Sequence, residues 1–339
     1  METEILKAFR AEYLKNINSK DKNSYYFNLG EISYSNLKQG GIKNFRDFSN
    51  GCGLGYSDSV IIDPIATSSK LKKIVVNIIN FLTFGKINRE QKILNKRLID
   101  DWLRYIQLVY SKNKNVLRLV KKYKINNSTH FGCKKKFKID GKFYSTHYLE
   151  ICNKIDFINS YCKLGKLKTY CEVGGGFGAN IHLIEQNFRN IKKFLLIDTF
   201  PTIYVAAHYL KKFYGKAVLS YHDTKKFKEI SFKNDNRLEI ICIPFWDIDK
   251  VKVKIDHFHN GDSFSHLDTL QIKKYIKFLK KNHTKSFSIN DLEFEKYKKT
   301  SPQVYAKYLG KKFITRRNQF VIEGLRKSKN IFFIGMFDK

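Results

Sequence analysis

The stretch "TYCEVGGGFGAN", Thr169–Asn180, decides the fold of this 339-residue chain. Four of the five positions from Gly174 to Gly178 are glycine, and apolar runs lie on both sides. A strand that enters a glycine-rich turn and leaves into a helix is the arrangement by which doubly wound α/β folds bind nucleotides. Glycine serves there because the backbone must adopt positive φ and approach the ligand closely. We therefore predict a strand over Thr169–Val173 and a helix that begins near Ala179.

From Lys168 onward the sequence alternates between strand and helix patterns. Strictly alternating elements imply right-handed crossovers and a mainly parallel sheet. The predicted fold class is α/β: a doubly wound, mainly parallel, Rossmann-like sheet over 151–339, with a mostly helical N-terminal region over 1–150. That region should begin with a polar helix and an irregular segment within 1–30, and should contain a hairpin around Asp140-Gly141. The predicted strands are Thr169–Val173, Lys193–Asp198, Ala217–Tyr221, Leu238–Ile243, Val253–Asn260, 285–290 and 330–337.

The chain carries a formal net charge of +33, with the excess spread over both halves. A dedicated nucleic-acid binder concentrates its charge in one patch, so no nucleic-acid partner is expected. A solvated basic surface is the first interpretation, and a surface that meets an anionic membrane or an anionic substrate is the second. The N-terminus is charged and the longest apolar run, Ile74–Phe84, is too short to span a bilayer. We expect a cytoplasmic protein, with peripheral attachment to the inner membrane face as the alternative.

The six cysteines show no CxxC pair and no paired spacing with histidine. Neither a zinc site nor a disulfide framework is therefore predicted, and buried thiols in a reducing cytoplasm fit the pattern better. We predict no metal ligands. The oligomeric state is not readable from the sequence.

Two acidic residues distinguish between the ligands that a glycine loop can hold. In a dinucleotide fingerprint that begins at Gly174, the third glycine would fall at Ala179. Alanine is tolerated at that position, so the spacing alone does not exclude NAD as the ligand. Glu172, two residues before the first glycine, would repel a pyrophosphate but suits the ammonium of S-adenosylmethionine. Asp198 ends the next strand and can accept both ribose hydroxyls. S-adenosylmethionine is the preferred cofactor, with a dinucleotide and a plain glycine turn as alternatives.

The third strand of this unit ends in Phe245 and Trp246, whose rings can stack on an adenine. The residues predicted to bind the cofactor are Glu172, Gly174, Gly176, Gly178, Asp198, Phe245 and Trp246.

With these residues identified, 168–290 resemble class I S-adenosylmethionine-dependent methyltransferases. More narrowly, the chain resembles the bacterial sugar O-methyltransferases found with capsule and surface-glycan genes. The resemblance lies in "CEVGGGFGAN", "LLIDTFPTIYVAAHYL", "IICIPFW" and "IDHFHNGDSFSHLD", and more loosely in "DGKFYST". It implies a methyltransferase fold, S-adenosylmethionine and a sugar-nucleotide or glycan acceptor. The chain departs from the family pattern after Ser263-Phe264, where Ser265-His266-Leu267 replaces the usual glutamate and methionine.

The segment "DHFHNGDSFSH" lies at the expected carboxyl end of a strand and contains no Lys or Arg. A histidine there can take a proton near neutral pH, so we predict His259, Asp262 and His266 as catalytic. His257 and His259 are expected to face opposite sides of the sheet. The alternatives are a polar loop in which Asp262 or Ser265 caps the next helix, and a divalent cation held by Asp262 and His259.

Two further segments are candidates for the acceptor side: the glycine-rich loop Ser49–Ser59 as a lid, or alternatively a plain turn, and His147-Tyr148. The predicted function is O-methylation of a sugar or glycan precursor. An RNA methyltransferase is the first alternative, although "CIPFW" lacks the Asp/Asn-Pro-Pro-aromatic loop that grips a base amino group. A non-catalytic module that binds S-adenosylmethionine is the other.

Overall fold

The computed structural model describes most of the chain from residue 136 onward and parts of the N-terminal region. The loop Ser49–Ser59 and the residue Asp262 lie outside the described residues, which are 2–17, 22, 25–42, 45–47, 97, 100–101, 103–125, 131, 136–261, 263–292, 307–309, 313–318 and 330–337.

The described N-terminal region is mostly helical, as predicted. Its elements are α1 (Glu2–Asn16), α2 (Tyr25–Gly40), α3 (Lys114–Lys122), the strands β1 (Phe137–Ile139) and β2 (Lys142–Tyr144), and α4 (Thr146–Cys162). A second helix thus begins inside the segment that was expected to be irregular. The antiparallel β1–β2 hairpin confirms the turn at Asp140-Gly141, whose φ angles of 47° and 77° suit a two-residue hairpin loop. The Ser145 side chain caps α4, and residue 150, the predicted domain boundary, falls inside that helix.

Among the described residues, the core is an eight-stranded sheet in the order β5-β6-β4-β3-β7-β8-β10-β9. The pairs from β5 to β8 are parallel, and β10 runs antiparallel to both β8 and β9. This confirms the predicted fold class, although β9 was not predicted. The strands are β3 (Thr169–Val173), β4 (Lys193–Asp198), β5 (Val218–Leu219), β6 (Glu239–Pro244), β7 (His257–Gly261), β8 (Ser286–Leu292), β9 (Phe313–Asn318) and β10 (Asn330–Met336).

Both faces of the sheet are covered, as period-two burial along the strands requires. Tyr170 and Leu196 pack in one apolar cluster with α4 and with the N-terminal helices, whereas Cys171 and Leu195 pack in a second cluster on the other face. The remaining helices are α5 (Ala179–Asn187), α6 (Thr202–Tyr214), α7 (Tyr221–Thr224) and α8 (Thr269–Lys281).

Helix α8 begins at a capping box in which Asp268 and Gln271 satisfy each other's backbone amides. The alternative in which Asp262 or Ser265 caps this helix is therefore wrong, because the chain first makes a short 3-10 turn over Phe264–His266. Within the part of the chain that the structure describes, no helix has both the length and the apolar character needed to cross a membrane.

The strand order reverses at β3. The chain moves from β3 to β4 and β6 on one side and then returns to β7 on the other. In open α/β sheets such a reversal opens a crevice outside the carboxyl ends of the strands, where ligands bind. The turn that follows β3 is the glycine-rich loop.

Candidate active site

The loop after β3 uses glycine for two separate reasons. Gly174, Gly176 and Gly178 have φ angles of 73°, 59° and 85°, a region that side chains disfavour. A Cβ atom built on Gly174 would also lie 2.2 Å from Ser263 Oγ, and one on Gly178 would lie 2.8 Å from Leu210 Cδ1. The backbone of the loop is therefore fixed by its neighbours on both sides.

Gly175 brings the loop against the predicted acidic residue. A Cβ atom on Gly175 would lie 2.6 Å from Leu196 Cδ1 and 2.8 Å from Glu172 Oε2. The carboxyl group of Glu172 thus lies directly beneath the loop backbone, next to the glycines that follow it in the sequence.

Glu172 is fully buried. Its Oε1 accepts a hydrogen bond from Asn180 Nδ2, on the first turn of α5, whereas Oε2 has no hydrogen-bond partner among the described residues. Burial raises the pKa of this carboxyl to about 8, although the bond from Asn180 opposes the shift. A buried acid of this kind holds a proton near neutral pH, and a cationic ligand group can take the place of that proton.

Asp198, the last residue of the neighbouring strand β4, is hydrogen-bonded to the glycine loop. Its Oδ2 accepts a hydrogen bond from the Gly176 amide at 3.0 Å, and its Oδ1 accepts one from Thr199 at 2.7 Å. Desolvation raises the pKa of the Asp198 carboxyl to about 7 against these two bonds. A carboxylate offers about four acceptor sites, so this one retains capacity for hydroxyl donors from a ligand.

Phe245 and Trp246 begin a 3-10 helix directly after β6, at the same edge of the sheet. The Trp246 ring lies 5.7 Å from Phe9 and 6.1 Å from Tyr13, both on α1, and 5.8 Å from Tyr221. The indole therefore packs against the N-terminal helix. Whether either ring also stacks on an adenine stays a prediction.

The expectation that His257 and His259 face opposite sides of the sheet is wrong. Residues i and i+2 of a strand share a face, and both rings pack beside Tyr170, at 5.8 and 6.4 Å. His259 lies opposite Glu172 in the β3–β7 register, and both side chains are buried. The predicted catalytic histidine and the predicted cofactor carboxylate are thus neighbours on one face of the sheet.

Asn260 and Ser263 join the β7 end to the glycine loop, and neither was predicted as a site residue. Asn260 Nδ2 donates to the Val173 carbonyl at 2.8 Å and to Ser263 Oγ at 2.5 Å, while its Oδ1 accepts from the Phe264 amide at 3.0 Å. The Asn-x-x-Ser-Phe pattern in the family-like stretch was the signal that could have identified them.

For the other predicted site residues, the structure gives only a few contacts or none. His266 is half-buried in the 3-10 turn, where its amide donates to the Ser263 carbonyl, and its catalytic role stays a prediction. The predicted role of Asp262 falls outside the described residues, as does that of the Ser49–Ser59 loop. Among the described residues no three His, Cys, Asp or Glu side chains converge on a point where a metal ion would sit.

A buried arginine near the loop was not anticipated. The Arg46 guanidinium lies 5.0 Å from the ring centre of Phe177, within the glycine loop, and 5.3 Å from that of Tyr148. It donates to Ser145 Oγ at 3.1 Å. His147 packs on the same Phe177 ring at 5.5 Å. The predicted acceptor residues His147 and Tyr148 therefore lie next to the loop, although their role stays a prediction.

No family model matches the sequence, and no curated protein matches it. Solved structures with a similar fold include TrmK of M. capricolum in complex with S-adenosyl-homocysteine, 14% identical over 52% of this chain and 67% of that chain, with a TM-score of 0.32. An S-adenosylmethionine-dependent methyltransferase from Clostridium acetobutylicum is 14% identical over 55% and 92% of the two chains, with a TM-score of 0.34. An O-methyltransferase family protein from Burkholderia thailandensis is 10% identical over 56% and 57%, with a TM-score of 0.37. Because these TM-scores are low, the fold assignment rests on the chain's own strand order.

Proposed function

We propose that this protein is an S-adenosylmethionine-dependent O-methyltransferase that acts on a sugar or glycan precursor. The observation that carries the proposal is the Glu172 carboxyl, which is buried under a glycine loop with Oε2 unpartnered among the described residues. Leaving a buried acceptor unsatisfied costs about 1–3 kcal/mol. A cationic ligand group at this position would remove that cost.

The residues present fit S-adenosylmethionine. Glu172 would accept from its ammonium, the positive-φ glycines would let the backbone approach it, and Asp198 would accept from its ribose hydroxyls. When bound, this cofactor supplies a methyl group on a positively charged sulfur. A dinucleotide fits less well, because it would place a pyrophosphate beside the Glu172 carboxyl and offer that carboxyl no cationic group.

On the acceptor side, the protein must hold a hydroxyl and take its proton. His259 lies next to Glu172 in register at the carboxyl edge of the sheet, so it is our candidate for the base. A sugar acceptor is supported by the resemblance of "IDHFHNGDSFSHLD" to sugar O-methyltransferases, and by the absence from "CIPFW" of a loop that grips a base amino group.

Binding is tested by calorimetry with S-adenosylmethionine, and transfer by incubation of the protein with methyl-labelled cofactor and either a panel of nucleotide sugars or bulk RNA. We expect micromolar-range binding and label in a nucleotide sugar. Absence of binding would overturn the cofactor assignment. Label in RNA alone would replace the sugar with the RNA alternative.

The role of His259 is tested by His259→Gln. A positioned base contributes about 10²–10⁴-fold, so kcat should fall by at least about 100-fold while the dissociation constant of the cofactor stays within about threefold. His222→Gln, at an exposed position, is the matched control and should leave both unchanged. A His259→Gln enzyme with normal kcat would show that the base lies elsewhere.

A further inference from the structure

A row of buried polar side chains runs across β7 and β8, on the face that carries Glu172. In the strand register His257 lies opposite Ser286, and His259 lies opposite Ser288. All four are at most 4% exposed, and Glu172 and Asn290, which lie on the same face, are also buried. Such a row needs an explanation, because apolar side chains could fill this interior without any polar group to satisfy.

The four side chains form one continuous hydrogen-bonded chain. Ser286 Oγ lies 2.9 Å from the Asp256 carbonyl oxygen and 2.9 Å from His257 Nδ1. On the other side of the ring, His257 Nε2 lies 2.8 Å from Ser288 Oγ. Ser288 Oγ in turn lies 2.8 Å from His259 Nδ1, which is also 3.1 Å from the Ser288 carbonyl oxygen.

The carbonyl at one end sets the direction of every bond in this chain. A carbonyl only accepts, so Ser286 must donate its single hydroxyl proton to Asp256 and must accept from His257 Nδ1–H. Burial lowers the pKa of His257 to about 3, which keeps the ring neutral. Its Nε2 therefore carries a lone pair and accepts the hydroxyl proton of Ser288.

The same logic reaches His259. Since the Ser288 hydroxyl proton is committed to His257, Ser288 Oγ accepts from His259 Nδ1–H, and so does the Ser288 carbonyl. With its proton on Nδ1, a His259 ring in the neutral form has its lone pair on Nε2. That atom points toward the carboxyl edge of the sheet, because a Cβ atom built on Gly261 would lie 3.5 Å from it.

We infer that Ser286, His257 and Ser288 are positioning residues, which hold His259 in the tautomer whose Nε2 can accept a proton. This inference rests on the proposed function. In the transfer step, the acceptor hydroxyl gives its proton to His259 Nε2, and the electron pair left on the oxygen forms the new bond to the methyl carbon as the carbon–sulfur bond breaks onto sulfur. The Nδ1–H of the resulting imidazolium still donates to Ser288.

The first test reads the tautomers directly. In protein labelled with 15N at histidine, two-dimensional 1H–15N spectra distinguish a protonated Nδ1 from a protonated Nε2, and single His→Gln variants assign the signals. We expect Nδ1–H in both His257 and His259. A wild-type protein with Nε2–H at His259 would overturn the inference, whatever the protein does as an enzyme.

The second test breaks the chain at its far end with Ser286→Ala. His257 then loses the acceptor for Nδ1–H, so its ring can protonate Nε2 instead and turn the Ser288 hydroxyl toward His259 Nδ1. We expect an Nε2–H signal to appear for His259, together with a roughly 10-fold lower kcat, part of the 10²–10⁴-fold that a base supplies. The KM for the methyl donor should stay within about twofold.

Thr284→Val is the matched control, because Thr284 precedes β8, is 5% exposed and donates its hydroxyl to a carbonyl, Leu279 O, at 2.8 Å. It should leave the His259 tautomer and kcat unchanged. Equal effects of the two substitutions would overturn the positioning role in favour of general packing. The expected tautomers in a protein that methylates no sugar would refute the proposed function and leave the chain itself standing, so the two failures are distinguishable.

Discussion

The candidate site is built at the carboxyl ends of two neighbouring strands, β3 and β7, and these two strand ends are constructed differently. At the end of β3 the shape is set by the backbone: φ is positive at Gly174, Gly176 and Gly178, and at Gly174 and Gly178 the neighbours leave no room for a Cβ atom. At the end of β7 it is set by side chains, with Asn260 hydrogen-bonded to the Val173 carbonyl and His259 to Ser288.

This difference explains why one end was easier to predict than the other. A backbone requirement for positive φ leaves glycines in the sequence, and their positions can be counted. A hydrogen-bond network leaves only polar residue types, whose partners depend on the register between strands far apart in the chain. The predictions below test whether cofactor binding at the end of β3 depends on the backbone shape of the glycine loop. They also test whether the contacts of the N-terminal helix with Trp246 affect stability without affecting cofactor binding.

The largest expected effect is that of Gly174→Ala. The new Cβ would lie 2.2 Å from Ser263 Oγ at a φ of 73°, so the loop or Ser263 must shift from its present position. We expect cofactor binding to weaken by more than about 100-fold in calorimetry. The free energy of unfolding should fall by about 2–5 kcal/mol, the sum of about 1–2 kcal/mol for a left-handed alanine and about 1–3 kcal/mol for an overpacked contact.

Gly141→Ala is the matched control for this substitution. Gly141 has nearly the same φ, 77°, but a Cβ atom there meets nothing within 4 Å. It should cost only about 1–2 kcal/mol of stability and leave cofactor affinity unchanged. If both variants bound the cofactor normally, the backbone shape of the β3 end would not be what holds the ligand.

Glu172→Gln should have an intermediate effect on cofactor affinity, and it should change how the free energy of unfolding depends on pH. The pKa of Glu172 in the folded protein, about 8, is above its ordinary value of 4.5. The folded state thus holds this proton more tightly than the unfolded state does, so the stabilisation is complete below pH 4.5 and is lost as the pH rises through 8. Glutamine cannot ionise, so the variant should lose less stability across this window, by on the order of a few kcal/mol in denaturant titrations.

The same variant should bind S-adenosylmethionine about 10-fold more weakly at pH 8, because a neutral amide replaces the charge partner of the ammonium. A fall in stability that remains between pH 3.8 and about 7 would report Asp198, whose pKa is raised to about 7, because the lowered pKa values of the buried His182 and His257 act in the opposite direction. A variant whose stability falls with pH as steeply as that of the wild type would show that Glu172 is ionised in the folded protein.

The sequence predicted the β3 loop, the hairpin at Asp140-Gly141 and the alternating sheet because each depends on local residue types. It did not predict where β7 begins. The predicted strand began at Val253, but β7 begins at His257, directly after Asp256, whose side chain accepts hydrogen bonds from the Lys168 and Thr169 amides.

The prediction that His257 and His259 face opposite sides of the sheet was wrong for a simpler reason. Two residues two positions apart in a strand share a face, and the sequence itself contains that information. By contrast, the contact of α1 with Trp246 joins segments more than 200 residues apart, and no local pattern reports such a contact.

The smallest expected effect on ligand binding is that of Trp246→Phe, and it decides what this ring does. The indole lies within 6.1 Å of Phe9, Tyr13 and Tyr221. Aromatic pairs contribute about 0.5–1.5 kcal/mol each beyond the area they bury. Phenylalanine keeps part of these contacts, so we expect a loss of about 1–2 kcal/mol in the free energy of unfolding. The dissociation constant of S-adenosylmethionine should change by less than about threefold.

Phe9→Leu makes the test of Trp246 specific, because Phe9 lies on α1 and packs against Trp246 and Phe200. It should reproduce the stability loss without changing cofactor affinity. Stacking of a base on an aromatic ring is worth about 1–3 kcal/mol, so an adenine resting on Trp246 would make Trp246→Phe weaken binding clearly more than Phe9→Leu does. Equal affinities in the two variants would assign the indole to docking of the N-terminal helix, and would leave Phe245 as the ring available to the adenine.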